Sequence, residues 1–319
     1  MLSSIRGTAT FPICAVLVLA LAACGGARPT ATPAPAANAP TSVFVSPTPS
    51  YAVEVTRNIE YLTLLEPGAP VQKLDVYAPT GPGPWPVVVL MHAVFQSKDT
   101  AVYTSLGEEL AGRGLVVFVP DRRSESGTIL EAARDNGREF REVQESYDCS
   151  VRFARERAAD WRGDPSRVTV FGHDGSGLET ALIGDDLQGL WEQFAALRGG
   201  PPRQTECLAE GGTAHVDAYV WFYGDTKIYE VLKDSDPELW GLTSYFALIG
   251  RNPSLQVHLL HGEKDAPTLI ERAEEYHEAL VTAGYDASMT VLGTKGFEIP
   301  WSGPDREALI QAILEAAHR

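Results

Sequence analysis

One short stretch, residues 168–177 with the sequence VTVFGHDGSG, combines residue types and spacing that are suited to catalysis. An apolar run ends at Gly172, Asp174 stands two residues later, and Ser176 follows before a helical pattern begins. A strand that turns this sharply into a helix presents one side chain, here Asp174, as a nucleophile. A carboxylate at the turn can form an ester intermediate, and a base must then activate water to release the product.

Two alternatives for this stretch stay open at the level of sequence. Asp tolerates a positive φ better than most residues with a side chain, so Asp174 is also suited to a strained turn that does no chemistry. Ser176 is a second candidate nucleophile, but it lies two residues beyond the turn, in the first turn of the following helix. We therefore treat Ser176 as the minor alternative.

The N-terminal residues indicate export. Residues 1–23 carry a single charge and a short apolar run, too short to span a bilayer comfortably, which is typical of a secretory signal. The sequence LAAC that ends at Cys24 resembles a bacterial lipobox, whose cysteine is acylated after cleavage. Acyl chains on Cys24 would bind membrane lipid and hold the protein on the extracytoplasmic face of a bacterial membrane. An ordinary signal followed by an accidental cysteine is the alternative.

Composition separates a tether from a single folded domain. Residues 24–50 are rich in Ala, Thr and Pro, which favours an extended tether. Residues 51–319 are long enough for one large domain, and the 44% hydrophobic content of the chain fits a packed core. A formal net charge of −16 argues against a nucleic-acid partner.

Buried strands and amphipathic helices alternate along residues 51–319, which predicts an α/β domain with a mostly parallel sheet of about eight strands flanked by helices. Residues 185–252 include two insertions that we expect to form a small irregular cap. The strands are expected at 53–64, 72–77, 86–91, 115–119, 168–173, 217–223, 256–261 and 287–292, and the helices at 100–112, 139–160, 175–183, 267–283 and 304–318.

Four landmarks in order resemble the α/β-hydrolases of the esterase and lipase (carboxylesterase-like) type, from about residue 53 to the C-terminus. They are PVVVLMH at 86–92, LVVFVPDRR at 115–123, GDPSRVTVFGH at 163–173 and LLHGEKD at 259–265. The resemblance implies a nucleophile at Asp174, where this family usually has Ser, and an acid of the catalytic triad at Asp265. An aspartate nucleophile occurs in haloalkane dehalogenases and epoxide hydrolases of the same fold.

The triad histidine implied by the resemblance is missing. The segment after the last strand reads LGTKGF, in which Lys295 lies nearest the vacant place, and no His occurs between residues 278 and 317. We expect an ion pair between Asp174 and Lys295 to fill the former active site. Asp265 is then more simply interpreted as the cap of the helix that begins near Pro267.

The resemblance also implies two backbone N–H groups that stabilise an oxyanion, and the candidates are Gly175 and Ala93. Esterases often have His-Gly-Gly-Gly after the third strand, whereas this chain has His92-Ala93-Val94-Phe95. The side chains at 93 and 94 restrict the backbone, so this half of the oxyanion hole is altered.

Cys149 and Cys207 remain in an exported compartment after Cys14 is removed and Cys24 is acylated. Their even number and oxidising surroundings favour a disulfide, and two separate buried thiols are the alternative.

These observations favour a membrane-anchored esterase-like protein whose catalytic apparatus is impaired, with a small-molecule, glycan or protein ligand in its cleft. The alternative is an active hydrolase of esters or related small substrates with Asp174 as the nucleophile. We predict no cofactor and no metal.

Overall fold

The description rests on a computed structural model, which describes residues 50–122, 138–199, 202–209, 211–293 and 296–319. The signal segment, Cys24, the tether up to residue 49 and Lys295 lie outside the described residues. Predictions that concern them, including the ion pair between Asp174 and Lys295, therefore stay predictions. No helix among the described residues is long and apolar enough to cross a bilayer.

A mixed sheet of nine strands forms the centre of the domain, in the order β6-β1-β2-β4-β3-β5-β7-β8-β9. β2 is antiparallel to β1 and β4, and the strands from β4 through β9 in this order are parallel. The strands are β1 (Val53–Leu64), β2 (Gln72–Pro79), β3 (Trp85–Met91), β4 (Val116–Pro120), β5 (Gly163–His173), β6 (Thr205–Cys207), β7 (Ala218–Phe222), β8 (Gln256–Gly262) and β9 (Ala287–Leu292).

Two helical layers cover the sheet. Residues of α1 and α9 share one buried cluster, and residues of α2, α3 and α8 share the other. The helices are α1 (Ala101–Gly112), α2 (Arg138–Arg157), α3 (Leu178–Ile183), α4 (Leu187–Arg198), α5 (Leu232–Ser235), α6 (Pro237–Thr243), α7 (Tyr245–Leu248), α8 (Pro267–Thr282) and α9 (Pro304–His318). The predicted helix at 139–160 ends at Arg157, and a 3₁₀ turn, Ala158–Trp161, follows it.

The apolar runs of the sequence are explained by burial on both faces of the sheet. In β3, Val87 and Val89 belong to the cluster beneath α2, whereas Val88 and Leu90 belong to the cluster beneath α1. Successive strand residues point to opposite faces, so a strand covered on both sides needs apolar residues throughout.

The ninth strand comes from the segment that was predicted to be a cap. β6 pairs with β1 and forms the edge of the sheet, and Thr63 of β1 lies opposite Glu206 of β6. Trp191 and Tyr245, also from this segment, pack in the core cluster beneath α2. Part of 185–252 thus extends the sheet and thickens one helical layer, because β1 offers unpaired backbone groups and that face offers apolar surface.

The predicted disulfide is confirmed, because Cys149 and Cys207 are bonded with their Cα atoms 5.4 Å apart. It links α2 to β6, so it fixes the edge strand to the helical layer that covers the sheet.

Candidate active site

The turn at residues 172–177, called the elbow below, follows β5 and keeps the strained backbone that such a site requires. Asp174 has φ +63° and Gly177 has φ +86°. A Cβ on Gly172 would collide with the Tyr219 hydroxyl and with the backbone oxygen of Ser176. Glycine at 172 therefore lets the strand and the following helix approach closely, and Asp174 is raised above the carboxyl edge of the sheet.

The backbone of Asp174 is held from the neighbouring strand β7. Its N–H donates to the Phe222 carbonyl at 2.9 Å, and the Trp221 indole N–H donates to its carbonyl. These bonds explain why a residue with a side chain persists at positive φ, since they compensate a conformation that costs about 1–3 kcal/mol.

The side chain of Asp174 is partly buried, and burial raises the pKa of its carboxyl group. The Gly175 N–H and the positive charge of Arg122 oppose this shift, whereas Asp225 adds to it. The N–H of Gly175, one of the two candidate oxyanion donors, is thus close enough to the Asp174 carboxylate to stabilise its charged form.

The second candidate donor is also engaged. The N–H of Ala93 donates to the hydroxyl of Tyr103 at 2.8 Å, and both residues are fully buried. An oxyanion hole needs free N–H groups aimed at the reacting oxygen. The hydroxyl of Tyr103, on α1, accepts this hydrogen bond in place of a substrate oxygen.

Tyr103 is fixed in turn by His173, the elbow residue before Asp174. The Tyr103 hydroxyl lies 2.7 Å from His173 Nδ1, and His173 Nε2 lies 2.7 Å from the Phe297 carbonyl oxygen. Since a carbonyl oxygen only accepts, Nε2 carries the proton and Nδ1 is an acceptor. The single proton of the Tyr103 hydroxyl is shared between Nδ1 and Gln96 Oε1, which the hydroxyl also contacts. Burial lowers the pKa of His173 to about 4, although the bond to Phe297 opposes this shift. His173 is a neutral structural residue.

Asp265 lies after β8, and its carboxylate faces back toward the strand. Its Oδ2 accepts from the Gly262 N–H at 2.9 Å and lies 3.2 Å from His261 Nδ1. The predicted helix-capping role is wrong, because the cap of α8 is Ala266 and no side chain bonds to the helix start. Asp265 binds the strand end instead, through the Gly262 N–H.

The other oxygen of Asp265 lies beside the chain that follows β9. Oδ1 is buried and has no hydrogen-bond partner among the described residues. Gly296, with φ +97°, passes so close that a Cβ there would lie 2.6 Å from Oδ1. The chain that follows β9 therefore covers the carboxylate with a glycine backbone.

Every histidine of the chain lies within the described residues, and none is hydrogen-bonded to Asp174. Each ring contacts another group. The backbone carbonyl oxygens of Ala93, Phe297, Ala287 and Leu314 contact His92, His173, His277 and His318, respectively. Side chains contact the others: Asp121 is near His92, Tyr103 near His173, Asp217 near His215, Ser288 and Thr290 near His258, and Asp265 near His261. The described residues thus offer Asp174 no imidazole base.

Of the comparisons with known proteins, only the one with solved structures found similar proteins, and it supports the fold. No protein-family model matches the sequence, and no curated protein matches it. An esterase from Thermogutta terrifontis, with propionate bound, is 17% identical and matches with a TM-score of 0.56 over 81% of this chain and 93% of that chain. A truncated carbohydrate esterase from gut microbiota is 14% identical, with a TM-score of 0.55 over 86% and 99% of the two chains. A bifunctional GH43-CE protein from Bacteroides eggerthii is 19% identical, with a TM-score of 0.54 over 77% of this chain and 36% of that much longer chain.

This chain has the α/β-hydrolase fold. The resemblance inferred from the four landmarks is confirmed at that level, since the strand order and the esterase structures agree. The parallel strands of this fold end at one edge of the sheet, and Ala93, Asp174 and Asp265 each follow such a strand end.

Ser176 is excluded as a nucleophile in this α/β-hydrolase fold. Its side chain is fully buried, and its hydroxyl donates to the His92 carbonyl at 2.7 Å. It ties the elbow to the loop after β3, which is a structural role.

Two groups near the elbow escaped the sequence analysis. Glu179, on α3, is buried; the Tyr229 hydroxyl donates to its Oε1 at 2.5 Å, and burial raises its pKa. Arg122 follows β4 and is 8% exposed. In the sequence, Glu179 could have been recognised as a charged residue within an apolar helical pattern. No group of three metal-ligating side chains occurs in the part of the chain that is described.

Proposed function

We propose that this chain is an exported, esterase-like protein of the α/β-hydrolase fold that binds a ligand in its cleft and does not catalyse acyl transfer. One observation carries the proposal: the Ala93 N–H, which an esterase needs free, is bound to the buried Tyr103 hydroxyl. The absence of any histidine bonded to Asp174 among the described residues supports it independently.

The expected loss of rate is large. One missing oxyanion donor costs about 10²–10³ in rate, and a missing general base costs about 10²–10⁴. A serine and an aspartate nucleophile both need that base. Together these changes reduce turnover by at least about 10⁴ relative to an intact site of this fold.

The proposed ligand is a carbohydrate. This choice rests on the likeness to a carbohydrate esterase from gut microbiota, and a small molecule or a protein segment is the alternative occupant. A protein that has kept the cleft but lost its turnover can retain recognition, because binding and transition-state stabilisation are separate properties.

The membrane anchor is part of the proposal and rests on the lipobox-like sequence before Cys24. Cys24→Ser should move the protein from the membrane fraction to the soluble exported fraction. A protein that stays in the membrane fraction after this change would refute the anchor without touching the proposal for the cleft.

The test of inactivity compares p-nitrophenyl acetate hydrolysis by the purified protein and by Asp174→Ala. Both should match the buffer rate. Asp225→Ala is the matched control, because it removes a nearby carboxylate that is outside the elbow. Turnover in the wild type that Asp174→Ala abolishes and Asp225→Ala retains would refute the proposal.

The second candidate is a hydrolase of esters or related small substrates with Asp174 as the nucleophile. The retained positive φ at Asp174 favours it, because that conformation presents the side chain to the cleft. In this candidate, an Asp174 carboxylate oxygen attacks an alkyl carbon of the substrate, the bond from that carbon to the leaving group breaks, and water then attacks Cγ of the resulting ester and releases the alcohol. In ¹⁸O-labelled water this second step would leave ¹⁸O in the Asp174 carboxylate. Mass spectrometry of the peptide that contains Asp174 would detect the label, and an unlabelled peptide argues against this candidate.

A further inference from the structure

Arg122 is an exception among the buried arginines of the described residues. Arg306 binds Glu109 at 3.0 Å, and Arg141 binds Glu145 at 2.6 Å. Arg122, which is 8% exposed, makes no ion pair with any described carboxylate. Buried charges in folded proteins are ordinarily paired, so a guanidinium without a counter-ion in the described part of the chain calls for an explanation.

The side chain of Arg122 is held in place by packing. Its guanidinium carbon lies 5.2 Å from the centre of the Tyr147 ring. Its Nε is buried and has no acceptor among the residues that the structure describes, so the residual exposure belongs to other atoms of the residue. The gap between Arg122, His92 and Tyr147 has no room for a water molecule, so water there does not satisfy the missing bond.

Arg122 lies at the same edge of the sheet as the candidate site. Arg122 follows β4, which is parallel to β3, and β3 is parallel to β5, whose end carries the elbow. All three strands end at the same edge of the sheet. Burial raises the pKa of the Asp174 carboxyl group, and the positive charge of Arg122 opposes this rise, although the two groups form no ion pair.

We propose that Arg122 binds a carboxylate of the ligand at the cleft beside the elbow. A guanidinium presents N–H groups in a planar fork that matches a carboxylate. A singly charged carboxylate fits one cation better than a phosphate does, because Asp174 lies nearby and the whole chain carries a net charge of −16. Within the proposed function, on which this inference rests for the use of the cleft, the ligand is an acidic carbohydrate such as a uronic acid.

The experiment is calorimetric titration of the full protein with sodium D-glucuronate, D-glucose and inorganic phosphate. Glucuronate should bind at least about tenfold more tightly than either of the other two, since charge-assisted bidentate bonds are among the stronger polar contacts. Arg122→Met should lose this advantage, and Arg122→Lys, which keeps the charge but not the fork, should retain part of it.

Arg306→Met is the matched control, because it removes another buried arginine that has a protein partner. It should leave glucuronate binding unchanged in protein that circular dichroism shows to be folded. Equal binding of glucose or phosphate by the wild type, unchanged glucuronate binding in Arg122→Met, or no glucuronate binding by the wild type would each overturn the inference. Esterase assays decide the proposed function separately, because turnover can be present or absent whether or not glucuronate binds.

Discussion

The elbow and the loop after β3 lie side by side at the carboxyl edge of the sheet, but they differ in which features of a catalytic site they show. The elbow keeps the positive φ of Asp174 and the close approach at Gly172, which are backbone features. In the loop after β3, the Ala93 N–H is bound to the Tyr103 hydroxyl and is not free to donate to a substrate. The proposed loss of activity rests on this difference between an elbow that is present and a donor that is engaged elsewhere.

The difference follows from what holds each region. Gly172 is enclosed by Tyr219 and by the backbone of Ser176, so the core fixes the elbow whatever side chain stands at position 174. The Ala93 N–H, by contrast, is held by a single hydrogen bond to the Tyr103 hydroxyl. Packing therefore holds the elbow whatever side chain stands at position 174, whereas one substitution at Tyr103 can release the Ala93 N–H.

The strongest test of the packed frame is Gly172→Ala. The new Cβ would meet the backbone oxygen of Ser176 and the buried Tyr219 hydroxyl, neither of which can move freely. We expect the free energy of unfolding to fall by about 4 kcal/mol or more, measured by urea denaturation. Gly241→Ala is the control, because no atom lies within 4 Å of its added Cβ, and it should change stability by less than about 1 kcal/mol. Equal effects of the two substitutions would contradict the account of the frame.

Tyr103→Phe tests the redirected donor. Loss of the hydroxyl leaves the buried Ala93 N–H without an acceptor and removes the contacts of the hydroxyl with His173 Nδ1 and Gln96 Oε1, so stability should fall by about 2–3 kcal/mol. Tyr61→Phe removes a hydroxyl that donates only to the Asp121 carbonyl and should cost about 1 kcal/mol. If Tyr103→Phe lowers the free energy of unfolding less than Tyr61→Phe does, the hydrogen bonds of Tyr103 are not what holds the loop after β3.

Glu179→Gln tests the buried acid behind the elbow through its dependence on pH. Burial raises the pKa of Glu179 above its ordinary value of 4.5, so its favourable contribution is complete below that value and is lost as pH rises toward the folded-state pKa. Gln keeps an oxygen for the Tyr229 hydroxyl but cannot ionise. The variant should gain up to about 1.4 kcal/mol over the wild type for each pH unit above 4.5, until that pKa is reached. Urea denaturation at several pH values measures the gain, and a constant difference would contradict the burial of a neutral Glu179.

Ser176→Ala should have the smallest effect of the set. It removes one buried hydrogen bond to the His92 carbonyl, which should cost about 1 kcal/mol in unfolding free energy. Any ester turnover should stay unchanged in this variant. Turnover lost with Ser176 would show that its hydroxyl is reactive after all, against the structural role assigned here.

The sequence predicted the fold well because long apolar strands and a sharp strand-to-helix turn leave clear patterns. It missed β6, since Thr205–Cys207 is too short to show a pattern. It also missed the bond between Tyr103 and His173, which are 70 residues apart, because no local pattern records a long-range hydrogen bond. Asp265 was misassigned as a helix cap, since its spacing to the helix start is the same whichever way the carboxylate turns.

The most direct measurement of the central claim is the rate of p-nitrophenyl acetate hydrolysis by Asp174→Ser. This change restores the usual nucleophile of the fold on an intact elbow but leaves Ala93 bound to Tyr103 and supplies no histidine. The account predicts a rate equal to that of the wild type and of Asp174→Ala. A rise of about 10³ or more would contradict it, because the oxyanion hole and the base would then have to be available.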